Sequence, residues 1–140
     1  AAKGEKFITF FAGHYHCKTK VLQYINAGHN YPILLNESKT RFLNKGCIGL
    51  GMLEKIPKIE IEKIKLLKDT ILVCYTDGLV ELENNNNVAF ETANLVKVIR
   101  KNFNQTMIEL DHTIFKRLNE FKGDQEFLDD TAVMSCKFYA

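Results

Sequence analysis

The sequence predicts an α+β fold of mainly antiparallel sheets, with its helices gathered late in the chain. Three observations predict it. Up to residue 76 the apolar residues come in short runs or alternate with polar ones. Between residues 91 and 121 they recur at three- and four-residue spacing instead. A β-prone segment then closes the chain. Strands and helices are thus segregated and do not alternate as in a βαβ winding.

Each element has its own signal. Residues 6–16 hold Phe7, Ile8, Phe10, Phe11 and Tyr15, and apolar side chains on both faces predict a strand covered on both sides. Lys18, Thr19 and Lys20 predict a turn, after which Val21–Ala27 returns as the second strand of a hairpin. Gly28, His29 and Asn30 break that strand. Residues 31–35 form the next one, with Pro32 tolerated at its start or at an edge. Residues 36–39 are a polar turn and residues 41–43 a short return strand. Gly46, Gly49 and Gly51 make residues 45–52 a glycine-rich loop. It lacks the Gly-x-x-x-x-Gly-Lys-Ser/Thr order of a phosphate-cradling loop. It reads as a backbone turn that needs small residues, or as a support near a site.

Residues 59–67 set Ile59 and Ile61 against Glu60 and Glu62, then Ile64 and Leu66 against Lys63 and Lys65, predicting a strand with one wet face. Lys68 and Asp69 turn the chain. Residues 70–76 are nearly all apolar and β-prone, which predicts a central, buried strand. Residues 84–87 are four asparagines in a row, a solvated loop. Leu95, Val98, Ile99 and Phe103 mark an amphipathic helix over 91–103. A second helix spans 106–121. Thr106 and Glu109 form its capping box, and Met107, Leu110, Ile114, Leu118 and Phe121 its buried stripe. Residues 122–128 are a loop, and 131–139 the last strand.

The chain has 140 residues, 19 Lys and Arg against 17 Asp and Glu, and a formal charge of +2. That length suits one domain, residues 1–140. Hydrophobic residues at 46% and charged residues at 26% exclude a disordered tail, a collagen-like fibre and a disulfide scaffold. Near-neutral charge argues against nucleic acid as a partner. No apolar run approaches the roughly 20 residues that span a bilayer, and the first residues carry no secretory pattern. None of Cys17, Cys47, Cys74 and Cys136 forms a Cys-x-x-Cys pair. They read as buried free thiols in a reducing cytoplasm.

Two acidic sites stand out by position. Asp77-Gly78 follows the most buried-looking strand, and Asp129-Asp130 precedes the last one. If those strands are antiparallel neighbours, both acids face one rim of the sheet. Carboxylates converging there suit a hard cation such as Mg²⁺ or Mn²⁺. The alternative is a routine Asp-Gly turn and a polar Asp-Asp loop.

Four blocks come in a recognisable order: Asn-Ala-Gly-His-Asn at residues 26–30, Gly-Cys-Ile-Gly-Leu-Gly at 46–51, Tyr-Thr-Asp-Gly at 75–78 and Asp-Asp-Thr-Ala at 129–132. With them the chain closely resembles PPM-type (protein phosphatase 2C-like) serine/threonine phosphatases. The branch is that of stage II sporulation protein E and the sigma-factor regulatory phosphatases. The resemblance runs from about residue 6 to 139. It implies a layered β-sandwich of two antiparallel sheets with flanking helices and a metal site between the sheets at one end. It also implies two Mn²⁺ or Mg²⁺ ions activating a water for attack on a phosphoserine or phosphothreonine.

The resemblance makes Asp77 and Asp129 metal ligands, and Gly78 the residue whose turn presents Asp77. Asp130 and Asn30 would be polar neighbours supporting the ligands. Glu81 matches an acid of a weaker third metal site. His29 is open between ligand, phosphate contact and loop-ordering residue. His14, His16 and His112 match no motif position. The family also begins with a strand ending in Asp-x-Ser-Gly-His-Gly or similar, whose Asp bridges both metals. No Asp precedes Asp69 in these residues. The expectation is therefore a C-terminal portion of a catalytic domain, incomplete at its N-terminus and inactive alone. The implied function is a cytoplasmic metal-dependent phosphatase acting on a phosphorylated regulatory protein, of the anti-anti-sigma type, in sigma-factor or stress signalling. A catalytically degenerate interaction module is the alternative. An uncovered strand edge predicts a homo-oligomer.

Overall fold

The computed structural model describes residues 6–139. Within them the strands are β1 (Phe10–His16), β2 (Val21–Ala27), β3 (Ile33–Leu35), β4 (Thr40–Phe42), β5 (Gly46–Cys47), β6 (Glu62–Lys65), β7 (Thr70–Tyr75) and β8 (Val133–Phe138). The helices are α1 (Asp77–Val80), α2 (Glu91–Lys101) and α3 (Met107–Lys122). Two four-stranded sheets result. One runs β1-β2-β5, with β6 also paired to β2; the other runs β4-β3-β7-β8. All pairings are antiparallel except the short parallel pair of β2 with β5.

The alternation of side chains along β3 and β7 builds three layers. Ile33, Leu35, Ile71, Val73 and Tyr75 pack against Leu95, Ile99, Leu110, Ile114 and Leu118 of the helices. Leu34 and Leu72 point the other way and meet Leu22, Tyr24, Leu43, Ile64 and Leu66 across the sheet interface. The second sheet is therefore central, with the helices on one face and the first sheet on the other. Both helices lie where their apolar stripes predict. Thr106 and Glu109 form the reciprocal capping box at the start of α3.

Four expectations are corrected. The β1 strand is not covered on both sides: only Phe11 and Tyr15 reach the inter-sheet core, while Phe7, Ile8 and Phe10 are exposed. It is an edge strand, paired to β2 alone. The strand expected over 59–67 shortens to β6, and Ile59 and Ile61 are exposed. Asp77-Gly78 is not a plain turn but the first turn of α1. The cysteines are free but not buried: Cys17 and Cys136 are exposed, Cys47 and Cys74 half-buried. Desolvation on the inner face of β7, followed by the proximity of Cys136, pushes the Cys74 thiol up to about 11.

Candidate metal centre

The site is built where β7 ends and β8 begins. The two strands pair to their last register position, Tyr75 opposite Val133. Thr76 then stitches the outgoing chains together. Its N–H donates to the Ala132 carbonyl at 3.1 Å, its hydroxyl donates to the Asp130 carbonyl at 2.8 Å, and the hydroxyl oxygen accepts from the Ala132 N–H at 2.9 Å. The contact continues at Gly78. A Cβ there would lie 2.7 Å from the Asp130 carbonyl oxygen and 3.2 Å from the Asp129 carbonyl. Gly78 has an ordinary helical place and no positive φ. Its smallness serves close approach, not an unusual turn.

Asp77 and Asp129 therefore stand on adjoining segments of one rim, and both are exposed. Asp77 Oδ1 accepts from the Gly78 N–H at 3.1 Å, and Asp129 Oδ1 from the Asp130 N–H at 2.7 Å. Neither is in an ion pair among the described residues. Asp130 follows on the same strand entry, its carbonyl held by Thr76. Glu81 caps α1, its N–H donating to the Asp77 carbonyl at 2.9 Å. Its side chain lines a cavity together with Gly78 and Asp129.

His29 and Asn30 reach the same end by topology. They lead into β3, whose first residue, Ile33, pairs with Val73 near the end of β7. The loop is held from beneath by Asn26, which is almost fully buried. Asn26 Oδ1 accepts from the His29 N–H at 2.8 Å, and Nδ2 donates to the carbonyls of His29 at 3.0 Å and Leu43 at 3.1 Å. The β5 strand closes against this residue, and a Cβ on Gly46 would fall 1.9 Å from the Asn26 carbonyl oxygen. The glycine-rich loop thus needs small residues because backbones meet there. Sequence reasoning missed Asn26 and Thr76. The signal for Asn26 is a polar residue at a core-facing position of the alternation Leu22, Tyr24, Asn26.

The gathering is incomplete. Among the described residues no three His, Cys, Asp or Glu side chains stand close enough together to hold a metal. The loop of His29 enters β3 at this end of the sheet, and His29 joins no ligand cluster. In type the donors fit a hard divalent cation, since Asp77, Asp129 and Glu81 offer only carboxylate oxygen. In number they leave most of six or so positions to water or to other groups.

The model of the stage II sporulation protein E (SpoIIE) family matches residues 1–139. Among curated proteins there is no match. Among solved structures the chain is similar to the SiaA-PP2C domain of Pseudomonas aeruginosa, with TM-score 0.76 and 16% identity, covering 86% of this chain and 48% of that one. It is similar to the RsbU and RsbW domains of a Mycobacterium tuberculosis protein, with TM-score 0.73 and 22% identity, covering 91% of this chain and 35% of that one. It is also similar to the phosphatase domain of the cell fate determinant SpoIIE from Bacillus subtilis, presoaked in Mn, with TM-score 0.66, 14% identity, and coverage of 94% and 56%. At such identities the likeness is one of fold. The chain spans between about a third and just over half of the length of these structures.

Proposed function

The chain belongs to the stage II sporulation protein E family and has the fold of its PP2C-type phosphatase domains, and from that premise we propose that it is the C-terminal portion of a metal-dependent serine/threonine protein phosphatase. The observation that carries the reading is the stitching of residues 76–78 to 129–132, which sets two unpaired carboxylates on one rim. Asp77 and Asp129 would hold Mn²⁺ or Mg²⁺, with Glu81 beside them. Bound cations would supply Lewis-acid chemistry, polarising a phosphoryl group and lowering the pKa of water. The protein's own part is rigid placement. Thr76 fixes the spacing of the two loops, Gly78 lets them touch, and Asn26 orders the loop carrying His29.

Holding a pair of hard cations here would take a further carboxylate to offset their mutual repulsion. The family supplies it from an Asp motif that these 140 residues do not contain. The 140-residue chain alone is accordingly expected to bind at most one cation weakly and to turn over phosphoesters poorly. The substrate is a phosphorylated regulatory protein of the anti-anti-sigma type. Support comes from the family and from neighbours described as RsbU, RsbW and a cell fate determinant. A cytoplasmic location agrees with such a substrate. No helix among the described residues is long and apolar enough to cross a membrane.

The test is hydrolysis of a phosphoserine protein by the full natural protein containing these residues, measured against Mn²⁺ concentration. Mn²⁺-dependent turnover that disappears in Asp77→Asn and Asp129→Asn is the expected result. A folded full protein with no turnover at any Mn²⁺ concentration would overturn the reading and favour a phosphatase fold kept as an interaction module.

A further inference from the structure

A groove of about 640 Å³ lies beside the carboxylate rim, between α1, the start of α2 and residues 128–129. Val80, Leu82 and Ala89 give it an apolar floor. Leu128 stands at its mouth, 91% exposed and the most exposed large apolar side chain of the described residues. The charge on its walls has one sign. Beyond Glu81 and Asp129, which the metal reading reserves for cations, Glu83 and Glu91 line it, and no Lys or Arg does. None of the four is in an ion pair among the described residues. This runs against the whole chain, whose formal charge is +2. A concave apolar surface ringed by one sign focuses the field on whatever enters.

The fold holds the groove open. Residues 82–90 form a small hairpin, with Glu83 bridged to Ala89 and the Phe90 N–H donating to the Leu82 carbonyl at 2.8 Å. Asn84 ties its tip: Oδ1 accepts from the N–H groups of Asn86 at 2.9 Å and Val88 at 3.1 Å. Phe90 anchors the hairpin edge-to-face on Phe121 of α3, with ring centroids 5.2 Å apart. Glu83 and Glu91 are thus presented by a braced element. They lie outside the positions assigned to metal.

We propose that this groove docks a short segment of the protein substrate that carries Lys or Arg beside an apolar side chain. The inference rests on the phosphatase reading and adds a substrate class to it. The cationic head would meet Glu83 and Glu91, and the apolar residue would cover Leu128 and the floor. A segment seated there would place its flanking phosphoresidue at the Asp77–Asp129 rim, because Asp129 and Gly78 belong to the groove's wall. Complementarity of this kind selects among partners and makes the encounter salt-sensitive.

The test uses two unphosphorylated eight-residue peptides of equal apolar content, one with three Lys or Arg and one with three Glu, titrated into the protein by fluorescence anisotropy. The basic peptide is expected to bind and the acidic one not. Binding should weaken at least tenfold in the double variant Glu83→Lys, Glu91→Lys and severalfold at high salt. The double variant Glu83→Gln, Glu91→Gln keeps both side-chain shapes on exposed positions and should show an intermediate loss. Equal binding of both peptides, or an affinity unchanged in both double variants, would overturn the proposal. The peptides carry no phosphate, so the readout is independent of turnover. Docking of the basic peptide by a full protein that shows no turnover at any Mn²⁺ concentration would sink the phosphatase reading alone, and turnover by a full protein that does not distinguish the two peptides would sink this inference alone.

Discussion

Gly78→Ala probes the contact on which the site depends. In an isolated helix the change would help, by about 0.5–1 kcal/mol, because glycine is the more costly residue to order. Here the new methyl would sit 2.7 Å from the Asp130 carbonyl oxygen, about 0.7 Å inside the 3.4 Å at which ordinary contact begins. The obstacle is backbone, and Thr76 holds it by a hydrogen bond of 2.8 Å, so it cannot swing aside like a side chain. Overpacking of this kind costs about 1–3 kcal/mol. The net expectation is a loss of about 1–2 kcal/mol, equivalent to a fall in Tm of roughly 3–8 °C for a chain of this size. Urea unfolding and calorimetry measure it. The loss should be accompanied by weaker Mn²⁺ binding, since residues 129–130 must move away from Asp77. A Gly78→Ala protein as stable as the parent, or more stable, would refute the argument that close approach explains this glycine.

Three further expectations follow from particular residues. Leu118→Ala should cost about 2–5 kcal/mol in urea unfolding, because Leu118 is fully buried between α3 and the central sheet; a loss near zero would mean that the helix is not seated there. Hydrogen bonds from the Thr106 N–H and then its hydroxyl hold the Glu109 carboxyl below its ordinary value of 4.5. Its contribution is therefore present above that value and lost as pH falls through the lower folded one. Glu109→Gln should lower the stability measured at pH 7 and lower it less as the pH falls through that lower folded value, and a cost independent of pH would contradict the capping box. The open edge of β1, together with the apolar side chains of Phe10, 41% exposed, and of Ile8 just before the strand, 69% exposed, should make the 140-residue chain self-associate in sedimentation. Ile8→Lys with Phe10→Lys should return it to a monomer, and a monodisperse parent at high concentration would count against that.

Much of the fold was legible because two helices carry a clear three- and four-residue spacing and the central strand a continuous apolar run. Residues 70–76 are apolar on both faces and are covered on both, since β7 lies in the middle layer. Residues 6–16 show the same pattern, yet β1 is an edge strand with one bare face. A pattern of apolar residues states that a face needs covering; it does not state by what. Ile59 and Ile61 fail for the same reason. The parallel pairing of β2 with β5 rests on two residues, too few for any period. At the site, Asp77 and Asp129 were legible from strand order, because antiparallel neighbours bring one strand's end beside the next one's start. The grouping of His29 with them came only from resemblance; the structure brings its loop to the same end of the sheet through β3 and gathers no ligand cluster among the described residues. Thr76 was not legible, because its hydrogen bonds join residues more than fifty positions apart.

The central claim is that Asp77 and Asp129 form one cation-holding rim. Titrating Mn²⁺ into the isotopically labelled 140-residue chain and mapping paramagnetic broadening of its amide resonances tests it most directly. The account predicts broadening centred on residues 76–79 and 129–131, reaching toward His29, and strongly reduced by either Asp77→Asn or Asp129→Asn. Broadening centred elsewhere, or unchanged in both variants, would contradict it.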